Sequence, residues 1–437
     1  MSKREFKHSI GLRLFIIAVL TLLLMIPAIL IQSLISERKD RRDEAALEIS
    51  DKWGHKQVIT GPIISVPFKF YVKDDQNRMI PTLRYAHFLP ADLSVQGTLH
   101  PEIRYRGIYE VVVYSTALSI SGRFESIDVS ALKIPAGDVL WDDAFLSLGI
   151  SDMKGINNFI TIRLNEASHT ANPGIESRDV LLSGISIKPD IRPGMQEYEF
   201  NLDLNLNGSY GLFFSPVGKE TRVELSSDWN NPSFGGQFLP VNREISTEGF
   251  HADWKILHLN RNFPQQWIGS EFKVSEALFG VNLLLAVDEY QKTMRTAKYA
   301  IMFISLTFLT FFMIELLSKK VIHPIQYLLI GFALLIFYTL LLSISEYLVF
   351  KYAYLIAALG IITLISLYTK SVLTNVLQTG IIAGVLIILY GYLYIILQLQ
   401  DYALLMGSIA LFVVLAVVMY LTRKIDWFNI MSSPEKE

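Results

Sequence analysis

Cysteine is absent from the 437-residue chain. That excludes disulfides, thiolate metal centres and a cysteine nucleophile, and leaves the compartment open, since a large periplasmic domain can stand without covalent staples. Charge is scarce as well. Asp, Glu, Lys and Arg make up 18% of the residues and the formal net charge is −2, so no basic field points to nucleic acid. The motifs of catalysis are missing too: there is no Gly-x-Gly-x-x-Gly, no P-loop around Gly218-Lys219, no His-Glu-x-x-His and no Gly-x-Ser-x-Gly. His55, His87, His100, His169, His251 and His258 are scattered, and the last two, seven apart, fall on opposite faces of a strand. No catalytic residue, cofactor site or metal site is expected.

Charge is also unevenly missing. None occurs between Leu14 and Ser36, Lys320 and Glu346, Lys351 and Lys370, Lys370 and Asp401, or Asp401 and Arg423. A helix needs about 20 apolar residues to cross roughly 30 Å of hydrocarbon, and a backbone in lipid must close its own hydrogen bonds. The runs predict transmembrane helices near 14–35, 299–317, 325–345, 352–369, 376–397 and 403–421. The first is read as a retained signal anchor; a cleaved signal peptide is the alternative, but the run is long and no Ala-x-Ala site follows it. Glu315 is expected to pair with Lys319 at the inner membrane face, which leaves no charge at mid-membrane of the kind a coupled transporter uses. Gly380, Gly384 and Gly391 are candidates for close helix packing within the bundle, with a homodimer seam as the alternative.

Six crossings put both termini on one side. That side carries Lys3, Arg4, Lys7, Arg13, Lys319, Lys320, Lys370, Arg423 and Lys424, whereas the short loops opposite carry Lys351 with Glu346 and Asp401. Basic residues near short loops stay inside, so the termini are expected in the cytoplasm and the large intervening domain outside. Arg38, Lys39, Arg41 and Arg42, just after the first helix, run against that bias.

Between the first and second crossings the period drops to two. Phe200, Leu202, Leu204 and Leu206 alternate with Asn201, Asp203, Asn205 and Asn207, which marks a strand with one buried face. Asn207-Gly208 then predicts a type I′ hairpin turn into a second strand over 211–214. Val66, Phe68, Phe70 and Val72 show the same alternation, as do Val281, Leu283, Leu285 and Val287, and strands are expected over 107–124 and 221–229 as well. Strands at roughly ten-residue spacing argue for an antiparallel sandwich or two stacked β modules. The expected order is a tail and first helix (1–36), a charged juxtamembrane helix with i,i+4 ion pairs (37–57), the β-rich domain (58–298), a five-helix bundle (299–421) and a second tail (422–437). Within the β domain, Trp229, Phe234 and Phe238 form the candidate contact surface, the alternative being a bend whose rings complete the core.

Several stretches read together: GPIISVPF (61–68), SSDWNNPSFGGQFLP (226–240) followed by VNREISTEGFHADW, then TAKYAIMFISLTFLTFFMIELL, HPIQYLLIGFALLIFYTLLLSISEY and the closing TRKIDWF (422–428). In this order, over nearly the whole chain, they resemble the CreD family of bacterial inner-membrane proteins. The resemblance implies a role in cell-envelope integrity, tolerance of certain colicins, and expression under a two-component system; it brings no established catalytic residues. The expectation is a polytopic α-helical protein of the inner membrane, six transmembrane helices with a large sandwich-like periplasmic domain inserted after helix 1. It is read as a non-enzyme whose partners are the lipid bilayer and an envelope or periplasmic protein. A lipid or small-molecule translocation factor is the alternative.

Overall fold

Helix α1, Ile10–Trp53, runs 44 residues without a break and carries Pro27 inside it. The structure, a computed structural model, describes residues 10–285, 289–318, 322–373, 375–398 and 403–423. The chain divides into two compact units, Met1–Arg42 with Val287–Glu437, and Asp43–Ala286.

In the first unit, the start of α1 is joined by α2 (Glu289–Lys298), α3 (Ala300–Ser318), α4 (Pro324–Ser345), α5 (Phe350–Leu373), α6 (Val376–Gln398) and α7 (Ala403–Thr422). Among the described residues, α1, α4, α5 and α6 are long and apolar enough to cross a membrane, and α2 with α3, bent by 43° at their junction, make a fifth if the pair is one span. The start of α4 is set locally. His323 caps it through Nδ1, accepting from the Ile325 N–H, while the Gln326 side chain accepts from the His323 N–H and Pro324 occupies the first turn.

Helices that are apolar all round cannot be sorted by burying a greasy face, so small residues, rings and polar contacts decide the packing. Gly331 of α4 is one such point. A Cβ there would lie 2.2 Å from Leu24 of α1 and 3.1 Å from Phe308 of α3, so only glycine lets these helices approach. Further along α4, the Phe337 ring sits 5.4 Å from Tyr354 of α5 and 4.7 Å from Tyr390 of α6, both edge to face. The Tyr354 hydroxyl donates to the Tyr390 carbonyl at 2.6 Å.

The second unit is a two-sheet sandwich around one core. One sheet runs, in spatial order, Pro232–Gly236, Phe279–Leu283, Gly211–Phe214, Gln57–Lys73, Phe145–Ile150, Gly184–Ile187, Asn172–Pro173. The other runs Asn242–Ser246, Gly249–Leu257, Glu220–Ser227, Asp92–Arg106, Tyr109–Glu125, Glu197–Ser209, Thr161–Leu164, Ala167–Thr170. The end of α1 packs on this second sheet: Ala46, Ile49 and Trp53 meet Val111 and Val113, and the Arg104 guanidinium lies 3.5 Å over the Trp53 ring. Its wet face carries the i,i+4 pair Lys52–Glu48.

Two expectations are corrected. The sandwich is not wholly antiparallel: Gln57–Lys73 pairs in parallel with Gly211–Phe214, and Asp92–Arg106 with Glu220–Ser227. Parallel partners need a long crossover, so no local turn announces them. Nor is there a hairpin at Asn207-Gly208. Both residues continue the ladder, opposite Ser115 and Tyr114, and the strand ends at Ser209. Gly208 is there because a Cβ would sit 2.4 Å from the Tyr114 hydroxyl. The turn falls at Tyr210, with φ +64°, and passes the chain to the other sheet. Tyr114 then ties the sheets together, its hydroxyl donating to the Gly211 carbonyl at 2.9 Å.

His87 is buried in this core, its Nδ1 2.9 Å from the Ser65 hydroxyl and its Nε2 3.3 Å from Asp179. Burial pushes its pKa down, only partly opposed by Asp179. The folded domain therefore holds neutral imidazole, and its stability is complete above the unfolded pKa of about 6.5 and falls as the pH drops below it toward the lowered folded value. Urea unfolding followed by tryptophan fluorescence should show a loss of at most about 1.4 kcal/mol per pH unit below pH 6.5, and His87→Gln should flatten that slope.

Candidate functional site

Whether an apolar side chain on Gln57–Lys73 is covered depends on how far along the strand it lies. Val66 and Phe68 are 0% and 3% exposed, whereas Phe70 and Val72, next on the same face, are 40% and 39%. Past the core the strand pairs only with Met79–Phe88, from Lys69 opposite Leu83 to Lys73 opposite Met79. The result is a two-stranded arm with Phe70, Tyr71, Val72, Met79, Ile80 and Leu83 all exposed. Its tip is a built turn. Asp74 accepts the backbone N–H of Gln76 and Arg78 and an ion pair from the Arg78 side chain, while Asn77 takes φ +61°. The Arg78 N–H, first among these, holds the Asp74 carboxyl below its usual range. An isolated hairpin is marginal in water, so the base matters: Phe68 bridges to Val139, and Gln266–Ile268 pairs with Ala86, His87 and Phe88. Lys69, Lys73, Arg78 and Arg84 against Asp74 and Asp75 leave the arm with a net charge of +2, so it is mildly cationic as well as apolar, with the Arg84 guanidinium 4.7 Å above the Phe70 ring.

Trp229, Phe234 and Phe238 are half-buried against the core. Phe234 meets Phe250 and Trp254 edge to face at 5.7 and 5.6 Å, Phe238 meets Phe279 at 6.3 Å, and the Trp229 indole donates to the Leu284 carbonyl at 3.1 Å. The apolar side chains facing outward beside them are Leu239 and Val241, each 66% exposed. Phe238 also lines an open cleft of about 890 Å³ beside Arg261. That guanidinium is buried and its terminal nitrogens donate to the carbonyls of Val217, Gly218, Phe263 and Pro264 and to the Gln265 side chain. Burial lowers its pKa to about 10, so it stays charged at neutral pH, clamping loops together.

In the membrane unit, charge collects at two levels. Glu315 of α3 is 3% exposed; it pairs with Arg13 of α1 at 2.7 Å and accepts the Tyr327 hydroxyl of α4 at 3.0 Å. The partner expected from spacing, Lys319, lies outside the described residues. At the other level Glu346 faces Arg38 at 3.9 Å and accepts from the Tyr290 hydroxyl at 3.3 Å, and Arg42 lies over the Tyr290 ring. So two of the basic residues that run against the charge bias are engaged by the bundle itself. At Gly380, Gly384 and Gly391 a Cβ would meet nothing within 4 Å, so among the described residues no other helix closes on that stripe. His251 and His258 lie well apart in role: one is on a strand, the other opens a short 3₁₀ turn, His258–Asn260.

Arg13→Met would leave a buried carboxylate without its counter-charge and should lower thermal stability in detergent by about 3–5 kcal/mol. Adding Glu315→Gln should recover part of the loss, which a thermal-shift comparison of the two variants would read.

Comparison with known proteins gives one consistent result. Residues 9–428 match the family model described as inner membrane protein CreD. The inner membrane protein CreD of Escherichia coli (strain K12) is 33% identical over 415 residues, 93% of this chain and 91% of that protein.

Proposed function

Because the chain belongs to the CreD family of inner membrane proteins, we propose that this multi-pass protein supports envelope integrity without catalysis, and that its β domain binds an envelope component from the periplasmic side through the apolar arm. The arm is the observation that carries the reading. Six exposed apolar side chains on a stiffly based, cationic two-stranded projection are costly to leave in water and suit a partner with an apolar, negatively charged surface. Six crossings, both termini cytoplasmic, complete the proposal. Support comes from the basic bias of the loops and from the helical rise from Arg13 to Arg38, about 37 Å, enough for a bilayer core and its interfaces. The open stripe at Gly380, Gly384 and Gly391 supports self-association.

A second reading, translocation of a lipid or small molecule, draws on the hydroxyls of Thr307, Ser366 and Thr369, which are buried without a partner among the described residues.

A single cysteine at Gln76, on the arm's exposed turn, should react with a membrane-impermeant maleimide on intact cells; labelling only after lysis would reverse the topology. Photo-crosslinkers at Val72 and Ile80 should yield one recurrent protein adduct that Phe70→Ser with Leu83→Ser and Met79→Ser reduces at least tenfold at unchanged folding stability. Lipid adducts alone, tracking the bundle and not the arm, would favour translocation.

A further inference from the structure

We infer that the outer face of the second sheet holds a divalent-cation site built from Glu224, His251 and Asp253. His251 and Asp253 are two apart on Gly249–Leu257 and so share a face; the register sets Glu224 of the neighbouring strand directly opposite Asp253, and Ser226 opposite His251. Two carboxylates directly opposed across strands repel one another. The same pair of strands opposes two bases, Arg222 and Lys255, and there the chain answers with an acid: Glu220 forms ion pairs with both, 3.4 Å from Lys255. The acidic pair has His251 in the equivalent place. Its Nε2 lies 3.1 Å from Asp253 Oδ1 and 3.7 Å from Glu224 Oε1, and the three donor atoms are all within 4.8 Å of one another.

The two distances from His251, 3.1 and 3.7 Å, bracket those of a metal site, and the two carboxylates would close on the ion. With metal–ligand distances of about 2.0–2.2 Å, the edges of a tetrahedral zinc site are about 3.3–3.6 Å. An imidazole nitrogen with two carboxylate oxygens is a donor set that zinc accepts. An ion held between the two carboxylates removes their repulsion. Glu244, directly opposite His251 on the third strand of this edge, Asn242–Ser246, is placed to supply a fourth ligand; otherwise water does. Bound there, zinc ties Glu220–Ser227 to Gly249–Leu257, and with Glu244 reaches the outermost strand. His258 takes no part, which is why a search for paired histidines in the sequence misses the site.

The test uses the full-length protein in detergent, without a histidine tag, stripped with EDTA and titrated with zinc by calorimetry; cobalt(II) absorption reads the coordination. One saturable site is expected, weakened more than about tenfold by His251→Gln and by Asp253→Asn and unchanged by His258→Gln. All three positions are solvent-accessible, so equal circular-dichroism melting curves of the metal-free variants confirm that folding is not what changed. Absence of saturable binding, or binding that survives both His251→Gln and Asp253→Asn, overturns the site.

Discussion

A charge inside hydrocarbon has to be met by another charge or be kept out, and the membrane unit is arranged around that demand. Helix α1 supplies a cation at each of two levels, Arg13 for Glu315 and Arg38 for Glu346, and a tyrosine hydroxyl joins each pair, from Tyr327 and from Tyr290. From Leu14 to Ser36 α1 carries no charge at all, and Leu24 is pressed into the notch that Gly331 leaves in α4. Because removing one partner of a buried pair costs far more than the pair contributes, the Arg13–Glu315 level does most to fix the depth of α1 against α3, and the longer, more exposed Arg38–Glu346 contact adds less. The helices themselves, apolar on every side, have little else to set their register.

Much of this was legible. Runs without charge locate the helices because crossing a bilayer is a constraint on consecutive residues. Alternation locates Glu197–Ser209 and its neighbours because a half-buried strand is a constraint at period two. Partners are another matter. The parallel neighbours Gln57 and Leu212 meet through a fold, with no local signal, and Glu315 meets Arg13 across about 300 residues of chain, which no spacing announces. The Asn207-Gly208 pair misled for a physical reason: glycine is used both for unusual torsions and for close approach, and only the Tyr114 ring beside it shows which.

The arm was missed differently. Alternation along 66–72 says which side chains share a face, and says nothing about where the covering sheet ends. Phe68 and Phe70 look alike in sequence, yet one is core and the other is in water. Trp229, Phe234 and Phe238 present the opposite case, conspicuous in sequence but turned against the core. Exposed apolar patches of this kind belong to the boundary of a fold, and a boundary has no period.

The parallel pairing of Gln57 with Leu212 also sets an order in time. The first strand made lies inside its sheet, and its neighbour on one side is synthesised more than 150 residues later, roughly ten seconds or more at about 5–20 residues per second. Through that interval an apolar strand waits with an open edge, and the exposed arm grows directly out of it. A nascent chain of this design depends on being sheltered from its own copies until the sheet closes, so its yield should follow the supply of holding factors where it folds more closely than the final stability of the fold.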